Sequence, residues 1–116
     1  MSKKGTTNLN LKKVIDDLKK SKTPLWKRVA KDLSKARRQR ISVNLSKINR
    51  NSKEGDTIVV PGKVLGDGEL KHKVTIAAYW FSSKAEDKIK EAESKAIKIS
   101  ELFRNNPKGK GVKLLG

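Results

Sequence analysis

Leu11, Val14, Ile15 and Leu18 recur at the i, i+3, i+4, i+7 spacing of one helix face. Lys12, Asp16 and Lys20 follow one another four residues apart on the outer side and add ion-pair support. Thr23-Pro24 then has the form of an N-cap followed by proline at the first helical position. Leu25, Trp26, Val29, Ala30 and Leu33 make the inner face of this second helix. Two short helices joined by a tight polar link predict an N-terminal helical hairpin.

The period changes at residue 41. Ile41, Val43 and Leu45 alternate with Ser42 and Asn44, which predicts a short strand, and Ser46 to Arg50 continues as a helical stub. Thr57 to Val60 is β-branched and predicts a buried strand; Pro61-Gly62, read as a type II turn, ends its regular course. Gly66-Asp67-Gly68 marks a second turn, and Val74 to Phe81 is the longest strand candidate. Ser83-Lys84-Ala85-Glu86 has the form of a capping box opening a helix that buries Ala85, Ile89, Ala92 and Ala96. Ile97 to Ile99 predicts a further short strand, and Ser100 to Phe103 a last helical turn. The sum is a mixed α/β chain. Its 116 residues suit a single domain, 1–116, with a basic N-terminal arm (about 1–8) and a C-terminal tail (about 105–116).

Charge changes the picture. Lys and Arg number 29 against 12 Asp and Glu, for a net charge of +17. The excess is concentrated: residues 1–53 hold 17 basic and 3 acidic residues, and residues 54–116 hold 12 and 9. So unbalanced a surface repels itself unless a polyanion accompanies it, and nucleic acid is the commonest. The chain has no cysteine, which removes disulfides and thiolate metal sites and fits a reducing compartment. No apolar run approaches a membrane span, and MSKKGTTN lacks the apolar core of a secretory signal. A soluble, intracellular chain is expected.

KARRQRISVNLSKINR, residues 35 to 50, concentrates the question. It carries Lys35, Arg37, Arg38, Arg40, Lys47 and Arg50 with no acidic residue, alongside Ile41, Val43, Leu45 and Ile48 at burial spacing. A disordered tail does not need the apolar residues, and a solvated helix carries some acid. Arginine predominates, and guanidinium grips phosphate through two parallel hydrogen bonds. Asn44, Ser46 and Asn49 are short polar groups suited to phosphate, sugar or base edges, and would fix register. Lys63, Lys3, Lys4, Lys108 and Lys110 are secondary candidates. Trp26 and Phe81 fit buried positions, which leaves no evident stacking platform for single strands. Backbone and shape recognition of folded RNA is therefore favoured over the reading of unpaired bases.

Signs of catalysis are missing. His72 is the only histidine, flanked by Lys71 and Lys73, and has no co-ligands in the pattern of a metal site. Gly62-Lys63 lacks the earlier glycine of a phosphate loop, and Gly66-Asp67-Gly68 lacks the third glycine of a dinucleotide site. No carboxylate pair stands out as an acid–base couple. No catalytic residue, metal, cofactor or small-molecule substrate is expected. The principal alternative is an architectural DNA-binding protein of the nucleoid, which shares the charge; neither a dimerisation pattern nor an intercalating wedge is visible. An RNA-modifying enzyme is a third reading, disfavoured by the absent acid, base and cofactor signatures.

RRQRISVNLSKINR, TIVVPGKVLGDG and KVTIAAYWFSSKAEDKI, in that order, together resemble the L-eighteen-e family of large-subunit ribosomal proteins of archaea and eukaryotes, itself related to bacterial protein L-fifteen. The resemblance runs from the first helix to Pro107-Lys108-Gly109, and the compact length resembles the archaeal version. It implies an irregular α/β fold of short strand–turn–helix units. It also implies a structural, ribosomal RNA-binding role in the cytoplasm, within the large subunit, beside neighbouring ribosomal proteins. One departure is Glu93-Ser94, where the family often has Gly-Gly, so the left-handed cap expected at that helix end must be met differently.

Overall fold

The computed structural model describes residues 12–35 and 41–116. Helix α1 occupies residues 12–19 and α2 Pro24–Leu33. Then follow β1 (Ile41–Asn44), α3 (Leu45–Arg50), β2 (Thr57–Leu65), β3 (Thr75–Phe81), α4 (Ser83–Glu91), β4 (Lys95–Lys98), α5 (Ile99–Asn105) and β5 (Val112–Leu114). All strand pairings are parallel, in the order β1-β2-β3-β4, with β5 also on β2. The short strand–helix alternation expected from sequence is present, organised as one parallel sheet.

A parallel sheet needs cover on both faces. On one face Val43, Ile58, Val60, Val64, Ile76 and Ala78 pack with Leu45 and Ile48 of α3 and Ala85 and Ile89 of α4. On the other, Val59 and Ala77 pack with Leu18 of α1, Trp26, Val29, Ala30 and Leu33 of α2, and Ile99 and Leu102 of α5. Burial on both sides is why TIVV and VTIAAY read as continuous apolar runs. Among the described residues no helix is long and apolar enough to cross a membrane.

Strand β2 organises the sheet. Its first residues, Thr57–Val59, pair with Val112–Leu114 of β5, and Gly62–Leu65 pair with Ile41–Asn44 of β1. β5 and β1 therefore lie end to end along the same strand. Between them sits Pro61, which has no registered partner among the described residues, at the point where the β2–β3 register shifts between Val60 and Lys63. Proline lacks the N–H a ladder requires, and this gap is where a central strand can hold it. The predicted type II turn at Pro61-Gly62 is thus corrected: both residues lie within a continuous strand, and Gly62 is not among the residues of positive φ. Its glycine serves close approach, since a Cβ there would overlap the Ile41 carbonyl oxygen.

Other boundaries move for local reasons. Thr23 stands at the N-cap of α2 with Pro24 at the first turn, but its hydroxyl donates to the Pro107 carbonyl (3.2 Å) instead of capping. Helix α4 is capped by Ser82, one residue before the predicted box: the Ala85 N–H donates to Ser82 Oγ at 3.1 Å. That helix stops at Glu91, so Ala96, predicted inside it, belongs to β4. Glu93 supplies the left-handed cap itself, at φ 57°, with its N–H donating to Lys90 and that of Ser94 to Ile89, both at 3.0 Å. These two bonds form the Schellman arrangement that usually employs glycine. The stretch expected as a tail from about 105 holds the end of α5, a turn and β5. Trp26 Nε1 ties it back by donating to the Asn106 carbonyl at 3.2 Å.

Candidate nucleic-acid interface

Residues 41–50 of the basic segment are folded because their apolar positions are core. Val43, Leu45 and Ile48 are buried against the sheet, which leaves Ser42 and Arg50 exposed and Asn44, Ser46, Lys47 and Asn49 half-buried at the surface. Arg37, Arg38 and Arg40, with Lys3 and Lys4, lie outside the described residues. The chain re-enters the described structure at Ile41, the first residue of β1. Lys35, at the end of α2, is 3.4 Å from Asp32, whose carboxylate also faces Arg28 at 3.4 Å. The acid-free window therefore begins beside a buried carboxylate that engages its first cation.

The three short polar residues have work inside the protein. The crossover from β2 to β3, residues 66–74, contains no helix or strand, so its backbone N–H groups need other partners. Asn44 Oδ1 accepts from Asp67 N (3.4 Å), Asn49 Oδ1 from Lys71 N (2.9 Å), Glu54 Oε1 from Lys73 N (2.9 Å) and Ser94 Oγ from Val74 N (3.0 Å). The Ser46 N–H donates to the Asp67 carbonyl at 3.1 Å, and a Cβ on Gly68 would come within 2.7 Å of Ser46 N. The carbonyl side of each asparagine amide thus fastens the crossover. Sequence reasoning did not assign this use, because these partners lie 22 and 23 residues away.

Lys63 lies in β2 between Ser42 of β1 and Trp80 of β3, all three in register. Its Nζ is 5.5 Å from the centroid of the Trp80 ring, within cation–π range. Trp26 is fully buried and Phe81 half-buried against the core, as expected, but Trp80 is 47% exposed. The expectation that no aromatic platform remains is therefore corrected. In β3 the two-residue alternation breaks: Ala78 is in the core cluster, Phe81, three positions on, packs against the same cluster, and Trp80 is left outside it.

Lys108 and Lys110 are exposed in the turn before β5, closed by Asn106, whose amide donates to the Lys110 carbonyl (2.9 Å) and accepts from its N–H (3.3 Å). That turn leads to Val112, beside Thr57, whereas Lys63 is six residues further along β2. At about 3.3 Å per residue the two basic positions stand about 20 Å apart along the strand. The structure thus brings Lys63 beside the β1 segment and sets Lys108 and Lys110 near the opposite end of β2.

His72 is used structurally. Its Nε2 is 2.7 Å from the Ser52 hydroxyl, which donates to the Ile48 carbonyl at 2.6 Å; with that proton committed, Nε2–H is the donor to Ser52. Among the described residues no three His, Cys, Asp or Glu side chains are grouped to hold a metal.

The family model described as "Ribosomal protein 60S L18 and 50S L18e" matches residues 1–116. The large ribosomal subunit protein eL18 of Sulfurisphaera tokodaii is 44% identical, over 99% of this chain and 98% of its own length. The proteins of the same name from Archaeoglobus fulgidus and Sulfolobus acidocaldarius are 47% and 46% identical, over 94% and 97% of this chain and 97% of each relative. With a family match from end to end and near-complete coverage at this identity, the chain belongs to the L18/L18e family of ribosomal proteins.

Proposed function

We propose that this protein is a structural constituent of the large ribosomal subunit, acting in the cytoplasm. It binds folded ribosomal RNA through the segment from Lys35 to Arg50 and contacts neighbouring ribosomal proteins. Family membership carries the ribosomal reading and sets the chain among structural components instead of enzymes. The relatives named above are all large-subunit ribosomal proteins and lend the nucleoid alternative no support. The observation that favours this segment is the anchorage of its described half: Val43, Leu45 and Ile48 are core, so Lys47 and Arg50 stand on a folded frame within a stretch that has no acidic residue. Arg37, Arg38, Arg40, Lys47 and Arg50 neutralise phosphates in this reading, with Lys35 and Lys63 beside them. Asn44, Ser46 and Asn49 contribute what remains of their hydrogen-bonding capacity after fastening the crossover. Lys3, Lys4, Lys108 and Lys110 make outlying contacts.

Gradient sedimentation of a lysate tests the assignment: the protein should travel with large subunits, and its recovery with chromatin or free at the top would refute it. Binding to large-subunit ribosomal RNA tests the mechanism. If about six to ten phosphates are contacted, affinity falls by roughly 10³–10⁵ between about 50 and 200 mM salt. A salt-insensitive affinity would exclude the phosphate grip.

A further inference from the structure

We propose that Trp80 and Lys63 form a stacking subsite for one unpaired nucleotide of the bound RNA. The indole takes the face of the base and the ammonium the adjoining phosphate. The proposal rests on the RNA-binding reading above and adds to it a contact that backbone recognition alone does not supply.

Trp80 is the one large apolar side chain exposed among the described residues. Leaving so large a ring half in water forgoes burial that the same chain gives its other tryptophan, which is fully buried and hydrogen-bonded. Core packing does not account for Trp80, because Phe81 fills the adjacent core position. The ring's surroundings are cationic. Lys63 stands 5.5 Å from its centroid, and Ser42 continues the same row on β1. Trp80 also borders an open cleft of about 480 Å³ whose charged lining is Lys13, Lys98 and Arg104 against one carboxylate, Asp17. An apolar protein side chain gains nothing from such a rim of cations. A nucleotide uses both parts, its base on the ring and its phosphates on the ammonium and guanidinium groups. Folded RNA offers such bases at bulges and loops, where they are splayed from the helix.

The test compares the full-length protein with Trp80→Phe, Trp80→Leu and Trp80→Ala in binding to refolded large-subunit ribosomal RNA at fixed salt. Stacking predicts that Trp80→Ala weakens binding by roughly five- to hundred-fold, with the salt slope and melting temperature unchanged. Trp80→Phe should retain most of the affinity and Trp80→Leu should not. Wild-type tryptophan fluorescence should be quenched by RNA, and the quench should vanish in Trp80→Phe, which keeps only the buried Trp26. Full affinity in Trp80→Ala would overturn the subsite while leaving the phosphate-binding segment standing. Equal affinities for the Leu and Phe variants would show an apolar contact and overturn stacking. Unchanged RNA affinity with lost incorporation into subunits would assign Trp80 to a protein neighbour and overturn the subsite. Absence of salt-dependent RNA binding by the wild type would remove the underlying reading as well.

Discussion

Gly62 and Ile41 face each other across β1 and β2 with no room for a side chain between them: a Cβ on Gly62 would overlap the Ile41 carbonyl oxygen and lie 2.8 Å from its carbon. This close approach fixes how near β1, and with it residues 41–50 of the basic segment, comes to the central strand. Gly62→Ala should destabilise the fold by about 1–3 kcal/mol, the scale of overpacking in a close-packed interior. Gly62→Asn distinguishes this cause from a left-handed turn. Asparagine tolerates positive φ but has the same Cβ, so it should be at least as damaging as alanine in a thermal melt.

The hydrogen bond from Lys71 N to Asn49 Oδ1, at 2.9 Å, gives a way to separate structure from recognition at one position. Asn49→Ala leaves the crossover amide without its protein partner and should cost about 1 kcal/mol in denaturant unfolding. Asn49→Asp keeps the acceptor and should fold nearly as well. Its new negative charge should still weaken RNA binding if this face meets phosphate. Equal RNA affinity for Asn49→Asp and wild type would remove Asn49 from the interface.

Glu93 occupies a left-handed position at the end of α4, a conformation that costs a residue with a Cβ about 1–2 kcal/mol. Glycine removes that strain and returns part of the gain through the greater freedom of its unfolded chain. Glu93→Gly should therefore raise stability by about 0.5–1 kcal/mol, read as a higher melting temperature. The ion pair with Lys73, 3.3 Å apart between exposed side chains, is a small loss. Glu93→Ala loses the same pair without relieving φ and should show no gain.

Asp56 joins the start of β2 to its neighbours. Its Oδ2 is 2.9 Å from Lys113 Nζ of β5 and accepts from the Lys53 N–H at 2.8 Å. The hydrogen bond from Lys113, and next that from the Lys53 backbone, hold its carboxyl below the usual aspartate value. A carboxyl depressed in the folded state binds its proton more readily when unfolded. Its stabilisation is therefore fully present above the unfolded value near pH 4 and is lost as pH falls through the lower folded value. Asp56→Asn should melt below wild type at about pH 6, and the difference should close at acid pH, below about 4. A difference independent of pH would show that the ionised carboxylate is not the source.

Arg37, Arg38 and Arg40 are expected to meet RNA, and their charge has no acidic neighbour in sequence from Ser34 to Lys53. Changing all three to Ala should weaken binding and flatten its salt dependence by roughly one unit of slope for each phosphate no longer engaged. The melting temperature should stay near that of wild type. Unfolding of the triple variant would make the cluster structural.

Much of this molecule follows from local pattern. Val43, Leu45 and Ile48 are buried as their spacing predicts, the stub expected at Ser46–Arg50 is helical but begins at Leu45, which the alternation assigns to the strand, and Thr57–Val60 is a buried strand. Periodicity reports which residues turn inward, and net charge reports what kind of partner the outside suits. Both are carried by the chain itself, without reference to any distant segment. The three family stretches were legible for the same reason.

What the sequence alone did not determine depends on which strands become neighbours. Pro61-Gly62 has the local signature of a turn, yet the pair continues β2, because β5 ends beside Val59 and β1 begins beside Gly62. Asn44 and Asn49 look like free polar groups until the crossover at 67–71 is laid against them. Trp80 follows Ile76 and Ala78 in alternation, yet it lies outside their cluster, beside Lys63 where the β2–β3 register has shifted. In each case the outcome depends on a partner distant in sequence, from 17 positions for Lys63 and Trp80 to 55 for Val59 and Leu114. Such pairing is a property of the assembled sheet, whereas burial and charge are already written in the residues one by one.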